Sequence, residues 1–593
     1  MILRRCDWNL AAVPEMSVGT LEALAYGASA RHSLSLTESR IVNWTAMHAF
    51  DCLRNRWVGL LSFGMSVSCV GTVAAEVQAS SHSSPPASPE AVPGLQLVDW
   101  LLIAVYAAST IGLGYYYGRK QRTTREYFVG SGGMNPLLVG VSLFATLLST
   151  ISYLSVPGET VGKGPVILAA KLSIPFAYLI VAYLLLPVYM KHRVTSAYEL
   201  LEARLGIGVR LLGATMFVLL RLIWMSLLVF LAARAMTVMM GIDPKWIPLV
   251  VTCTGLVAVI YTSLGGLQAV VITDLMQTIL LFGGAVLVIA TVTYELGGFV
   301  WFPTEWHSNW DSQPLFSFDP KTRVTVIGTV LTMLIWYVCT AGGDQTSVQR
   351  FMATSDVRAA RRAYATQLCV SVSVTLMLGL VGLALLGYAE ANSDHLPSHV
   401  HIKDSADNLF PWYIAYRLPV GISGLVVSAM FAAAMSSIDS GVNSITAVVM
   451  TDFLDRFGWR PKTEKGHVLA ARLLAFSIGA IVVVGSSFME HVPGNITAVT
   501  QKTNNLLVAP LFALFFFALF VPFAKPTGVL VGAVFGITSA VLIAFSGPLF
   551  GFDPETGWDP VSFQWVAPVS LMVNLLTGTI ASLVLPSSRS RPA

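Results

Sequence analysis

Residues 431–446 read FAAAMSSIDSGVNSIT and lie within a long apolar stretch of the chain. Four polar side chains occupy five successive positions there: Ser436, Ser437, Asp439 and Ser440. Polar groups inside a bilayer must be paired or must line a watery cavity, so they usually mark a functional site. The shortest hypothesis is a small, hard cation held by oxygen atoms. The stretch therefore predicts ion-coupled transport by a membrane protein.

The composition of the chain is that of an integral membrane protein. Of its 593 residues, 55% are hydrophobic and 11% are charged, whereas soluble proteins carry about 25% charged residues. The net charge of +4 is too small to indicate nucleic acid as a partner. The six cysteines show no CxxC spacing, and we expect them to be packing residues.

The N-terminal part of the chain differs from the rest. Residues 1–79 form an extension in which Arg54 and Arg56 precede the apolar run WVGLLSFGMSVSCVGTVAA. A basic flank, a short apolar core and small residues near Ala79 predict a cleaved signal peptide. The alternative is an uncleaved additional helix, and the basic flank leaves Met47 open as the true start. Residues 80–96 are rich in Ser and Pro and predict a disordered linker.

Thirteen apolar segments follow, most of them near the roughly 20 residues that a bilayer core requires. They cover residues 97–118, 135–157, 166–190, 208–240, 246–262, 268–294, 323–345, 364–390, 417–450, 466–489, 497–521, 525–547 and 563–586. Basic residues concentrate in every second connection, which the positive-inside rule makes cytoplasmic. The sequence thus predicts an all-α polytopic domain over 97–586 in the plasma (inner) membrane. Its N-terminus would be outside, and the tail 587–593 inside.

The second segment contains GVSLFATLLSTISYLSVPGE, with several hydroxyl-bearing side chains and a break expected at Pro157 and Gly158. A helix interrupted in this way exposes backbone carbonyls that can coordinate a cation. The alternative for any single Ser or Thr is that it allows helices to approach closely.

Ionisable side chains also fall inside other segments. Asp274 and Gln277 lie one turn apart in the sixth segment, where the carboxylate requires a bound sodium or an intramembrane arginine as partner. Arg221 lies deep in the fourth segment and suits recognition of a carboxylate, or an ion pair such as one with Asp274. Lys171 lies near the start of the third segment and could instead snorkel to the surface.

The seventh segment ends in CTAGGDQTSVQR, which contains Asp344, Gln345 and Gln349. These three residues could form a hydrogen-bonded cap at the membrane interface or a gate, and the sequence does not decide between the two. Arg350 is expected to face the basic cytoplasmic side.

Six linked motifs at these positions, in this order, resemble the sodium/solute symporter family. They are REYFVGSGG, SLFAT, VTSAYELLEARLG, GGLQAVVITDLMQ, DQTSVQRFMAT and AAAMSSIDSGVNSITAVVMTD. The family includes sodium-coupled sugar, monocarboxylate, multivitamin, iodide and sialic acid transporters. The resemblance covers about residues 97–586. It implies a leucine-transporter-like, five-plus-five inverted repeat of segments 2–6 and 7–11, with alternating access to a site near mid-membrane.

The resemblance also implies sodium (Na+) as the coupling ion and assigns its ligands. The main site would use backbone carbonyls and two hydroxyls, from Ala145, Leu148, Ala433, Ser436 and Ser437. Some relatives hold a second sodium, and the matching positions here are Asp274, Asp439 and Ser440. Asp439 departs from the family's plain serine pattern, which could strengthen this second site or replace it with a pair to Arg221.

The solute is less well defined by the resemblance. Lys171 falls where sugar-carrying relatives have an acidic ligand, and Ser152 falls where they have an amide, so a sugar site built like theirs is doubtful. Positive charge favours an organic anion such as a sialic acid or a monocarboxylate. The predicted solute ligands are Ser149, Ser152, Lys171, Arg221 and Gln345, and the predicted gate residues are Gln277, Asp344 and Gln349.

The sequence therefore predicts sodium-driven import of a small carboxylate, with a sodium/sugar symporter as the alternative. A passive channel would show a continuous polar stripe along several helices, whereas the polar groups here cluster near breaks. A membrane sensor would carry a cytoplasmic signalling domain. No phosphate loop, HExxH or GxSxG motif points to an enzyme. The oligomeric state is left open.

Overall fold

Polar and glycine residues decide where the apolar segments of this chain begin, end and bend. The computed structural model describes residues 94–586, except 120–126, 129–132, 193, 241–242, 397–401, 403–404, 490–495 and 554–558. The predicted signal peptide, most of the linker and the tail 587–593 lie outside the described residues.

The described residues form helices joined by loops, without strands. The helices are α1 Leu97–Gly118, α2 Pro136–Leu147, α3 Thr150–Gly162, α4 Pro165–His192, α5 Glu199–Leu205, α6 Ile207–Met240, α7 Ile247–Ile260, α8 Gly265–Glu295, α9 Val326–Gly343, α10 Gln345–Met352, α11 Val357–Ala391, α12 Ala406–Tyr416, α13 Ile422–Leu454, α14 Glu464–Ser486, α15 Ile496–Phe520, α16 Pro526–Ala544, α17 Ser546–Phe550 and α18 Phe563–Val584.

Side-chain caps fix the start of several of these helices. Asn135 accepts a hydrogen bond from the N–H of Leu137 and is followed by Pro136 in the first turn of α2. Thr325 accepts from the N–H of Gly328 at the start of α9, at 3.0 Å. Such caps satisfy backbone donors that the first helical turn leaves unpaired.

Each predicted apolar segment coincides with a helix or a bent helix pair, but not every one meets the dimensions of a span. Eleven helices of the described chain are long and apolar enough to cross a membrane, or twelve if the pair α2 and α3 forms one span. α7 is a shorter apolar helix, so the predicted total of thirteen stays a prediction. The chain is kinked between α7 and α8, where Gly266, the second residue of α8, has a φ of 58°, a conformation that glycine adopts readily.

Two pairs of consecutive helices, α2 with α3 and α9 with α10, each meet at a short non-helical junction. α2 and α3 meet at a 65° bend, where Leu148 has extended backbone angles (φ −87°, ψ 121°). α9 and α10 meet at Asp344, with nearly the same angles (φ −94°, ψ 120°). The two breaks therefore fall in the first segment of each predicted five-helix repeat.

The predicted break at Pro157 and Gly158 is wrong, because α3 continues through both residues. Pro157 lies well inside α3. A Cβ atom on Gly158 would lie 2.3 Å from the Oδ1 atom of Asp407, so glycine is needed there for the close approach of α12. The pair Pro–Gly thus marks close packing in this chain, and the exposed carbonyls lie about two and a half turns earlier, at the α2–α3 junction.

Candidate ion and solute site

The α2–α3 break packs against the polar stretch of α13. Ser436 donates from its hydroxyl to the carbonyls of Ala145 (2.9 Å) and Ala433 (3.0 Å). Ser437 donates to the carbonyl of Leu148 at 3.4 Å and to that of Thr146 at 3.2 Å. The structure thus brings together all the residues predicted for the main sodium site.

The donor set at this junction fits a hard monovalent cation. Its members are backbone carbonyl and hydroxyl oxygens, which are the ligands that hard cations prefer. Leu148 ends α2 in an extended conformation, so its carbonyl lies outside the regular helix. The nearby hydroxyl of Ser149 is fully buried and has no hydrogen-bond partner among the described residues. Unsatisfied buried oxygen is costly, and a bound cation would offset that cost.

The predicted second sodium site contains an arginine. The guanidinium of Arg350 is fully buried, and its Nη2 atom lies 3.5 Å from Oδ2 of Asp274. It also donates to the hydroxyls of Ser142 (2.8 Å) and Ser440. The expectation that Arg350 faces the cytoplasm is wrong, because the buried carboxylate of Asp274 requires an opposite charge.

Arg350 is also linked to Asp439, the second carboxylate of this cluster, through Ser440. Asp439 accepts a hydrogen bond from Ser440 at 3.1 Å, and Ser440 in turn contacts Arg350. The ion pairs of Arg221 with Asp274 or Asp439, which the sequence left open as alternatives, are not formed. Thr146 links the cluster around Arg350 to the junction of α2, α3 and α13. Its hydroxyl lies 2.8 Å from that of Ser440, and its carbonyl accepts a hydrogen bond from Ser437.

Arg221 instead forms an ion pair with Asp344 at the α9–α10 break. Both side chains are almost fully buried. The amide of Gln345, the next residue, donates to the carbonyl of Thr195 at 2.8 Å and accepts from the N–H of Ala197 at 2.7 Å. Arg221 and Gln345 thus bind other parts of the protein at this junction, and neither lines the cavity described next.

A cavity of about 150 Å³ lies beside the α2–α3 break. Its walls come from α2, α3, α4, α9, α11, α15 and α18, and they include Ser152 and Lys171 from the predicted solute set. The ammonium of Lys171 donates to the hydroxyls of Tyr337 (3.0 Å) and Ser371 (2.9 Å). Lys171 therefore points into the protein and does not snorkel, because two hydroxyls from α9 and α11 bind its charge.

An ion cluster lies at the end of the cavity that the sequence predicts to be external. Arg323 pairs with Glu159 of α3, which lines the cavity, and with Asp311 at 3.0 Å. Burial alone would lower the pKa of Arg323, but the two carboxylates raise it above its ordinary value. Lys502 pairs with Asp559 at 2.5 Å.

Several hydrogen bonds join other elements to the region where α9 ends and α10 begins. Tyr189 donates to the carbonyl of Gly342, and Tyr198 donates to that of Gly343 at 3.2 Å. The amide of Gln349 donates to the carbonyl of Phe128 and accepts from Ser444 at 2.9 Å. Of the three predicted gate residues, Asp344 lies between α9 and α10 and Gln349 takes part in these contacts, whereas Gln277 does not.

Gln277 is fully buried in α8, and both polar atoms of its amide lack a hydrogen-bond partner among the described residues. It does not line the solute cavity. Its role as a gate stays a prediction.

Several residues of the site were not identified from the sequence. Arg350 stood in a quoted motif, but its place near a predicted cytoplasmic loop concealed its burial. Tyr337 and Ser371 carry no local signal, because each is an ordinary polar residue in an apolar helix. The same holds for Gln564, which lines the cavity from the start of α18.

Two helix breaks near a solute-sized cavity, with buried carbonyl and hydroxyl oxygens at the first break, are typical of a cation-coupled membrane transporter. A family model agrees, since the sodium:solute symporter family matches residues 127–536. The chain belongs to this family, which confirms the resemblance seen in the motifs.

Individual relatives are similar over most of their length. The chain is 28% identical over 513 residues to the sodium/sialic acid symporter SiaT of Proteus mirabilis (strain HI4320), covering 83% of this chain and 96% of that protein. It is 25% identical over 466 residues to the human sodium-coupled monocarboxylate transporter 1, covering 77% of this chain and 75% of that protein.

A solved structure is also similar. It is the substrate-bound, outward-open state of a Na+-coupled sialic acid symporter, with a TM-score of 0.70 and 25% identity, covering 84% of this chain and all of that one. The predicted all-α, multi-pass fold and sodium as coupling ion are thereby confirmed. Family membership favours a symporter over a channel, a sensor or an enzyme.

Proposed function

We propose that this protein imports a small organic carboxylate together with sodium. The observation that carries the carboxylate is the ammonium of Lys171, which is held at the cavity wall by Tyr337 and Ser371. The other charged residue of the cavity wall, Glu159, is neutralised by Arg323. The wall therefore presents net positive charge, and it attracts an anion.

The sodium site that we propose comprises the carbonyls of Ala145, Leu148 and Ala433 with the hydroxyls of Ser436 and Ser437. A cation there replaces the hydrogen bonds that now join α2 to α13, and it holds the break beside the cavity in one geometry. Leu148 belongs both to this ligand set and to the cavity wall. Sodium and solute therefore share one structural element, which explains how binding of one favours binding of the other.

The contribution of the membrane potential to the driving force depends on the sodium stoichiometry. Moving one positive charge inward is worth about 2.3 kcal/mol per 100 mV of membrane potential. One sodium ion carried with a monovalent anion makes the cycle electroneutral, whereas two make it electrogenic. Current measurements therefore report the sodium stoichiometry directly.

The cavity also limits the solute. Pockets for drug-sized ligands have volumes of about 300–1,000 Å³, so a cavity of about 150 Å³ favours a smaller molecule in this state. The two relatives named above are a sialic acid symporter and a monocarboxylate transporter. Of these two kinds of solute, short monocarboxylates fit a cavity of this volume better than sialic acid does.

Replacing Lys171 with Met is expected to raise the KM for carboxylates roughly tenfold or more, because a hydrogen bond to a charged group is worth about 1.5–3 kcal/mol. Uptake should be measured in proteoliposomes with a panel of short monocarboxylates, sialic acid, sugars and neutral amino acids, in sodium and in potassium. Any neutral solute carried by the unaltered protein should keep its KM.

Lys502→Met is the matched control, because Lys502 is also a partly buried lysine but pairs with Asp559 outside the cavity wall. Equal effects of the two substitutions on carboxylate KM would contradict the role of Lys171. Sodium-dependent uptake of sugars alone would retain the symporter and overturn the carboxylate.

A further inference from the structure

The first turn of α18 forms part of the cavity wall, although α18 lies beyond the residues matched by the family model and outside the two predicted repeats. Phe563 and Gln564 both line the cavity. Gln564 is only 2% exposed. A helix with no assigned part in transport therefore touches the space in which the solute would bind.

The side chain of Gln564 is bound to the start of α9. Its Nε2 atom donates to the hydroxyl of Thr329, and its Oε1 atom accepts from the N–H of Thr325 at 3.2 Å. The backbone carbonyl of Gln564 also accepts from the hydroxyl of Thr332. Because Thr329 and Thr332 themselves line the cavity, Gln564 determines where two cavity hydroxyls lie.

Neighbouring contacts extend this junction. Ser562 donates from its N–H to the carbonyl of Pro320 (2.8 Å) and from its hydroxyl to that of Arg323 (2.6 Å). A Cβ atom on Gly328 would lie 2.3 Å from Oε1 of Gln564, so the close approach of the two elements requires glycine. Since Arg323 also pairs with Glu159, the outer ends of α18, α9 and α3 are joined.

We propose that Gln564 is a positioning residue for the solute. It holds the outer half of α9 against α18, keeps Thr329 and Thr332 at the cavity wall, and thereby sets the affinity for the solute. It contacts none of the proposed sodium ligands. The expected effect on solute affinity rests on the proposed function, whereas the anchoring of α9 by Gln564 does not.

The test replaces Gln564 with Met, which preserves length and removes both side-chain hydrogen bonds. The KM for the solute is expected to rise roughly tenfold, since each bond contributes about 0.5–1.5 kcal/mol. The maximal rate per molecule and the half-saturating sodium concentration are expected to stay within about twofold of the unaltered protein. A general structural defect would lower the maximal rate instead.

Gln501→Met is the matched control. Gln501 also lines the cavity, but its Oε1 atom accepts from Asn505 within the same helix, at 3.1 Å. Because Gln501 itself lines the solute cavity, it controls the exchange measurement below and not the KM, and an unchanged KM in Gln564→Met would overturn the inference. A double-mutant cycle with Thr329→Val adds a second criterion, because residues that act through one contact are non-additive. Additive effects would show that Gln564 does not act through Thr329.

Hydrogen–deuterium exchange of residues 325–333 in the purified protein supplies a measurement that needs no solute. Exchange is expected to be faster in Gln564→Met than in Gln501→Met, because the N–H of Thr325 loses its acceptor. Unchanged exchange would refute the anchoring. If the unaltered protein carries no carboxylate, the proposed function fails, while this measurement still decides on α9. Gln564→Leu, which also removes the acceptor, replaces the Met variant if that variant does not fold. Gln564→Glu retains the acceptor oxygen, so its exchange is expected to stay close to that of the unaltered protein, and exchange as fast as in the Met or Leu variant would contradict the role of this oxygen.

Discussion

Ser437→Ala is expected to raise the sodium concentration for half-maximal uptake at least tenfold. Its hydroxyl lies against the carbonyls of Thr146 and Leu148 at the break, and it is one of five oxygen ligands in the proposed sodium site. Loss of one interaction with a charged group costs about 1.5–3 kcal/mol, which corresponds to roughly 10–150-fold in affinity. At low sodium, uptake should fall close to background.

The measurement is initial-rate uptake in proteoliposomes over a range of sodium concentrations at a fixed solute concentration. Ser428→Ala is the matched control, since Ser428 is a buried serine of the same helix whose hydroxyl donates to the carbonyl of Gly424 in its own turn. We expect this control to leave sodium dependence unchanged. If the two variants required the same sodium concentration, the main sodium site would lie elsewhere.

The sequence could predict which residues come together in the proposed main ion site, because its elements are local and chemically conspicuous. Ser436 and Ser437 stand out in an apolar helix, and the motif around Ala145 supplies the facing carbonyls. Composition and periodicity gave the helices with nearly correct bounds. The break itself was misplaced by about two and a half turns, since Pro157 is a stronger sequence signal than Leu148, whose extended backbone depends on tertiary packing.

The solute site could be predicted only in part, because its contacts join distant parts of the chain. Lys171 was identified as a charge inside a segment, but its partners Tyr337 and Ser371 come from other helices and have no distinguishing pattern. Arg221 carried the same kind of signal and binds Asp344 instead. A lysine or arginine inside an apolar segment predicts that a partner for its charge lies nearby. Only the fold shows whether that partner belongs to the protein or is the solute.

Arg350→Met is expected to cause a large loss of stability. The guanidinium is the ion-pair partner of Asp274 and donates to hydroxyls on two other helices. Removing one member of a buried ion pair leaves an uncompensated charge and costs about 3–5 kcal/mol. The midpoint of thermal unfolding in detergent should therefore fall well below that of the unaltered protein, with or without sodium.

A second substitution distinguishes this charge effect from a simple packing defect. Arg350→Met combined with Asp274→Asn removes both charges, so the double variant should be more stable than the single one, because neutral amides cost less to bury than carboxylates. Arg460→Met serves as the control, since its pair with Glu464 is exposed and such pairs contribute about 0–1 kcal/mol. If the double variant were no more stable than Arg350→Met, the arginine would act through its contacts with Ser142 and Ser440. The cluster would then serve to hold α2, α10 and α13 together, and compensation of Asp274 would be secondary.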